Sequence, residues 1–135
     1  MGIVGVNFIK LGAERSVKNS GQLRLNSNVH VKSVEKHELT VGGKKQQTLQ
    51  FNFNFTVKYE PKAGNINLQG FLTYVDSNEK ITELAKQWKK GKKLPEEVMI
   101  PVMNSILTKS NIMAILLTRE INLPSPVQFP KVKAK

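Results

Sequence analysis

The sequence of 135 residues has no cysteine, one tryptophan and a single aspartate, Asp76. The lack of cysteine excludes a disulfide framework, thiolate catalysis and cysteine-bound metal. His30 and His37 are its two imidazoles. They lie seven apart on a strand segment, and alternation sends residues seven apart to opposite faces, so these two are not expected to share a metal or a proton. No Walker loop, nucleophile elbow or paired-carboxylate spacing appears, and Gly2, Gly5 and Gly12 do not match the dinucleotide fingerprint. The chain is therefore expected to be a binding protein rather than an enzyme, with no cofactor and no metal. No unbroken run reaches the ~18 apolar residues of a membrane span, and no basic stretch followed by an apolar one opens the chain. A cytoplasmic protein with no membrane partner is expected. Asn54-Phe55-Thr56 matches a glycosylation sequon, but it lies within the clearest strand and reads as chance.

Acidic residues are also few. Ten Asp and Glu stand against 21 Lys and Arg, a formal net charge of +11. Of the basic residues, 18 are Lys and three are Arg (Arg15, Arg24 and Arg119). Base reading and bidentate phosphate forks favour Arg. Lysine suits diffuse contact with a polyanion backbone. The apolar fraction of 39% is enough to fold one domain spanning residues 1–135.

The first two thirds of the chain read as β. Leu49, Phe51, Phe53, Phe55, Val57 and Tyr59 alternate with polar residues, which gives a strand with one apolar and one polar face. Such a pattern belongs to an antiparallel sheet covered on one side, with the three Phe in the core. Pro61 to Asn65 is turn chemistry leading into a strand over 66–75, where Gly70 marks a bulge or a close backbone approach. Leu23, Leu25, Val29, Val31, Leu39 and Val41 share odd positions in a long strand, interrupted near Ser33-Val34. Gly42-Gly43 closes that strand into a hairpin. Residues 3–9 form a first strand, and the four strands follow one another as a meander.

The last third reads as helical. Asp76 caps a short helix whose stripe is Ile81, Leu84, Ala85 and Trp88, and Gly91 ends it. A long helix then runs from Pro95 to about Ile121, kinked or delayed by Pro101. One of its stripes is Val98, Val102, Ile106, Met113 and Leu117. Beyond Ile106 it is apolar on more than one face. That surplus requires a second packing partner, either another subunit in a homo-oligomer or the tail of about 122–135 folding back. The fold class is α+β: a four-stranded antiparallel sheet covered on one face by a short and a long C-terminal helix.

The strongest local signal is Lys86, Lys89, Lys90, Lys92 and Lys93, five lysines in eight residues. Lys44 and Lys45 sit at the hairpin tip, and Lys131, Lys133 and Lys135 alternate in the tail. These ten are the candidate RNA-binding residues, acting on phosphates without reaction. The expected partner is RNA, in particular rRNA, with neighbouring ribosomal proteins beside it. The expected role is that of a ribosomal or ribosome-associated protein.

The order of four antiparallel strands, short helix, long helix and the run Asn122-Leu123-Pro124-Ser125-Pro126-Val127-Gln128-Phe129 resembles the bacterial export chaperone family SecB. That family carries a Pro-Val-Asn-Phe-like run after its long helix. The resemblance implies a SecB-like fold, assembly through sheets and long helices, and a holdase that keeps unfolded or exported polypeptides in apolar grooves. SecB is acidic where it meets its motor partner, whereas this chain is basic. RNA binding is therefore the first expectation and the chaperone role the alternative.

Overall fold

The computed structural model describes residues 2–16, 24–60 and 63–124. Its elements are β1 (Gly2–Arg15), β2 (Arg24–Val41), β3 (Lys44–Glu60), β4 (Gly64–Val75), α1 (Asn78–Gly91) and α2 (Glu96–Glu120). The strands form one antiparallel sheet in the order β1-β4-β3-β2. The expected meander holds only for β2, β3 and β4. The first strand pairs with β4, which leaves β1 and β2 as the two edges. Gly42 and Gly43 both take positive φ, 56° and 79°, as a two-residue primed hairpin turn requires. The turn residues Pro61 and Lys62 lie outside the described residues, as do Leu23 and the tail from Ser125 onward.

Alternation along β3 sets the core. Leu49, Phe51, Phe53, Phe55, Val57 and Tyr59 are all buried, facing Ile66, Leu68, Leu72 and Tyr74 of β4 on the same side. Helix α1 closes one end of this layer with Ile81 and Leu84, with Ala85 and Trp88 packed against it, so Trp88 is a core contact. Helix α2 covers the rest.

Bulges alter the expected registers. β2 carries one extra residue, Lys32, between the pairs Val31–Phe53 and Ser33–Asn52. One extra residue flips every later side chain to the opposite face. Val34 therefore enters the core, while Leu39 turns to the open face instead of sharing the face of Leu25 and Val29. The same flip returns His37 to the face of His30. Roughly 20 Å of strand separates them, too far for one ion. β1 carries two extra residues, Val4 and Ile9, opposite β4. Its strand continues well past the expected end, to Arg15.

The helix ends are shifted by a residue from expectation. Ser77, not Asp76, is the N-cap of α1: its Oγ accepts from the Lys80 N–H at 3.2 Å, while Asp76 Oδ1 accepts from Ser77 N–H at 2.7 Å. Gly91 remains helical, and Lys92 takes the left-handed position, with φ 52°. Helix α2 runs through Pro101, whose ring is exposed. Its end is a Schellman-type closure: Asn122 has φ 57°, and Leu123 N–H reaches back to Thr118 C=O at 3.0 Å. Leu123 is buried, and the Tyr59 hydroxyl donates to Pro124 C=O. The first residues of the Leu-Pro-x-Pro-Val-x-Phe run thus fasten the helix end to the sheet.

Candidate functional site

The lysines divide into separate groups. Lys44 and Lys45 stand at the hairpin end of β3, beside the start of α1, because Gln47 N–H donates to Asn78 Oδ1 and Gln46 Nε2 to Asp76 C=O. Lys86, Lys89, Lys90, Lys92 and Lys93 stand at the other end of α1. A 14-residue helix places the two groups about 20 Å apart. All seven are exposed, and among the described residues none has a carboxylate within ion-pair distance. Two positive edges exist, but the fold does not join them into one footprint. Lys131, Lys133 and Lys135 lie outside the described residues.

The buried line of α2 is Val98, Val102, Ile106, Ser110, Ala114 and Thr118, a strict four-residue step. The expected stripe drifts from it after Ile106, placing Met113 and Leu117 on the flank. Small side chains at Ser110, Ala114 and Thr118 let the helix lie close on the sheet. The bulky residues then turn outward: Ile112 is 56% exposed and Leu116 50%, in line with exposed Ile100. This helix is long and apolar enough to cross a membrane by length and composition. The absence of an unbroken apolar run had argued against any such segment. Here its inner stripe lies on the sheet.

A second exposed apolar strip runs along β1. Val4 is 66% and Ile9 70% exposed, both at bulges, with Leu11 nearby. These side chains were not singled out from the sequence. Their signal is the adjacent apolar pairs Ile3-Val4 and Phe8-Ile9, which break period two. Between β1 and α2 lies Lys109: its Nζ donates to Val6 C=O and sits 5.8 Å from the Phe8 ring centroid. Lys109 was not part of any expected cluster, since it is isolated in sequence.

The open face of the sheet is a field of amides. Successive rows across it carry Asn7, Phe71, Asn52 and Ser33, then Gln69, Asn54 and His30, then Asn67, Thr56 and Asn28. The Oδ1 atoms of Asn54 and Asn67 are buried without a partner among the described residues. Lys10 and His30, at the ends of one row, are the basic residues in these central rows. Among the described residues there is no cluster of three potential metal ligands. Among the described residues two phenols titrate abnormally, and both are structural. Burial pushes the Tyr59 phenol up from 10.0 to about 12. Burial first, then the Asp76 and Glu97 carboxylates, raise that of Tyr74.

No family model matches the chain, and no curated protein matches it in sequence. Among solved structures it is similar to a SecB-like chaperone from Mycobacterium tuberculosis, solved in complex with a peptide from an antitoxin. The likeness spans 96% of this chain and 89% of that one, with a TM-score of 0.52 and 11% identity. At that identity the likeness is one of architecture, and it agrees with the four-stranded antiparallel sheet and two helices seen here: the chain has a SecB-like α+β fold.

Proposed function

We infer that this protein is a holdase-type polypeptide-binding protein on a SecB-like scaffold, acting by binding and not by reaction. One observation carries the reading: with the sheet core already full, Ile112 and Leu116 on the outer line of α2, and Val4, Ile9 and Leu11 on β1, stay in solvent. Large apolar side chains grouped on neighbouring elements mark interaction surfaces. The similar mycobacterial chaperone, which holds a peptide, supports the same partner class. The outer line of α2 also suits contact with a second copy in a homo-oligomer. The test is aggregation of a chemically unfolded client protein, followed by light scattering. The native chain is expected to suppress it near equimolar ratio, and the Ile112→Ser/Leu116→Ser double variant to lose most of that effect. No suppression by the native chain would overturn the reading.

RNA binding is the second reading, and the unneutralised lysines at the end of α1 favour it. It puts the contact on Lys86, Lys89, Lys90, Lys92 and Lys93, with Lys44 and Lys45 as a separate contact. Filter binding of a structured RNA at rising salt measures it. Each phosphate contact contributes roughly −0.9 to the slope of log K against log salt on a duplex. Replacing Lys89, Lys90, Lys92 and Lys93 by Glu is expected to abolish binding, and unchanged binding would sink the reading.

A further inference from the structure

The sheet face turned away from the helices holds two adjoining clefts at the end nearest the β3–β4 turn. One, of about 330 Å³, is lined by Thr56, Lys58, Glu60, Asn65 and Asn67. Tyr59 and Ile66 also border it, but their side chains are buried in the core. The other, of about 300 Å³, shares Gly64 and Asn65 with the first and reaches Glu14 and Arg15 on β1. Lys58 and Arg15 stand against Glu60 and Glu14, and Arg15 already donates to Ile121 C=O. In a chain of net charge +11 this is a neutral place, with no footprint for a polyanion. The side chains that point to it are amides, a hydroxyl and charges of both signs, so an apolar segment would bury little here.

Asn67 is the residue that points to a ligand. Its Oδ1 is buried without a donor among the described residues, and so is Asn54 Oδ1, on the next strand and in the next row. A buried amide oxygen left without a donor costs about 1–3 kcal/mol, and native side chains nearly always find a partner. Turning the Asn67 amide about its Cβ–Cγ bond brings that oxygen to the cleft. Gly12 stands opposite on β1, so no side chain crowds the amide from that flank. Further along β4, Phe71 is the aromatic residue of this face among the described residues, half-buried between Asn7 and Asn52. The strip from Asn65 to Phe71 is about 20 Å long. Amides and hydroxyls both donate and accept, so a ligand matching them must do the same at many points while carrying no net charge. A sugar does this with its hydroxyls, and its C–H groups can rest on the negative face of an aromatic ring.

We propose that the open face of the sheet, from the cleft at Asn67 along β4 to Phe71, binds a neutral oligosaccharide. One sugar hydroxyl donates to Asn67 Oδ1, Thr56 and Asn65 hold its neighbours, and a further ring lies on Phe71. The face is opposite the one that α2 covers, so this binding is independent of the polypeptide-binding reading.

The experiment titrates the isotope-labelled whole chain with cellotetraose, maltotetraose, mannotetraose and chitotetraose, and follows the side-chain amide signals by NMR. A sulfated heparin tetrasaccharide and a short peptide alternating Val with Thr are the comparison probes. At least one neutral sugar is expected to shift the amides of Asn54 and Asn67, with a dissociation constant of about 1 mM or tighter. Asn67→Leu should weaken that sugar about ten-fold, the size of one or two hydrogen bonds. The same variant should keep or raise the denaturant midpoint, because the unpartnered oxygen goes with it. Phe71→Leu should weaken the sugar too, by removing the ring face. Shifts in the wild-type chain decide the matter even where a variant folds poorly. No shift at Asn54 and Asn67 with any of the four sugars overturns the proposal, as does unchanged affinity in a folded Asn67→Leu. Tighter binding of the heparin fragment or of the peptide at these same amides assigns the face to a polyanion or a polypeptide and also overturns it.

Discussion

Gly70 faces Phe8 across the β1–β4 pair, with the Asn7 carbonyl close against it. No side chain fits between these backbones, so Gly70→Ala forces two strands apart. It is expected to cost about 2–3 kcal/mol, as overpacking does, read from denaturant midpoints. Tyr59 is the residue that ties sheet to helix end, through its bond to Pro124 C=O. Its folded pKa of about 12 lies above the ordinary 10.0. A raised folded pKa means that the native state holds the proton more tightly. The stability from this group is complete below pH 10 and is lost as pH rises towards about 12. Tyr59→Phe should flatten that part of the stability–pH curve and lower stability at neutral pH by about 1 kcal/mol for the lost hydrogen bond. An unchanged alkaline slope in the variant would mean that another group governs it.

At the scale of elements, periodicity was legible, and so were interruptions near Ser33-Val34 and at Gly70, but not their effect on which face later side chains take. The alternation from Leu49 to Tyr59 defined β3 and its core face, and the stripe Ile81, Leu84, Ala85 and Trp88 defined α1. The lone bulge at Lys32 reversed the faces of His37 and Leu39, because one extra residue shifts everything after it. In the second half of α2 the expected stripe still packs on the core through Met113 and Leu117, but only from the flank of the buried line. Met113 and Leu117 stay half-buried there, while the sheet takes the small side chains, Ala114 and Thr118, at the centre of the contact. Only the partner surface decides between two such stripes. Ala114→Leu should lift the helix from the sheet and destabilise the fold by about 1–3 kcal/mol. Ile112→Ser should change stability by no more than about 0.5 kcal/mol, since its side chain already lies in solvent. Thermal melts of the two variants check this ordering. A large loss in Ile112→Ser would place that residue inside an interface. The strand order was hidden too: pairing of β1 with β4 is non-local, and nothing in either strand's pattern specifies its neighbour.

At the scale of the whole molecule, charge and exposed apolar surface lie on different parts of the described structure. The formal charge of +11 favoured a polyanion. In three dimensions the seven described candidate lysines spread to two ends of α1, while most of the exposed large apolar residues lie on β1 and α2. The outward apolar line of α2 is the surface on which the proposed polypeptide binding rests. Seven of the ten candidate lysines lie among the described residues, and their placement at two ends of α1 was not legible in the sequence. The apolar surface was legible only as a surplus on α2, without its continuation on β1. The most direct measurement titrates the whole chain against a labelled unfolded polypeptide and against a labelled structured RNA, each at low and high salt. Polypeptide binding that persists at high salt and is lost in Ile112→Ser/Leu116→Ser is the expected result. Tight, salt-sensitive RNA binding with no measurable polypeptide binding would contradict it.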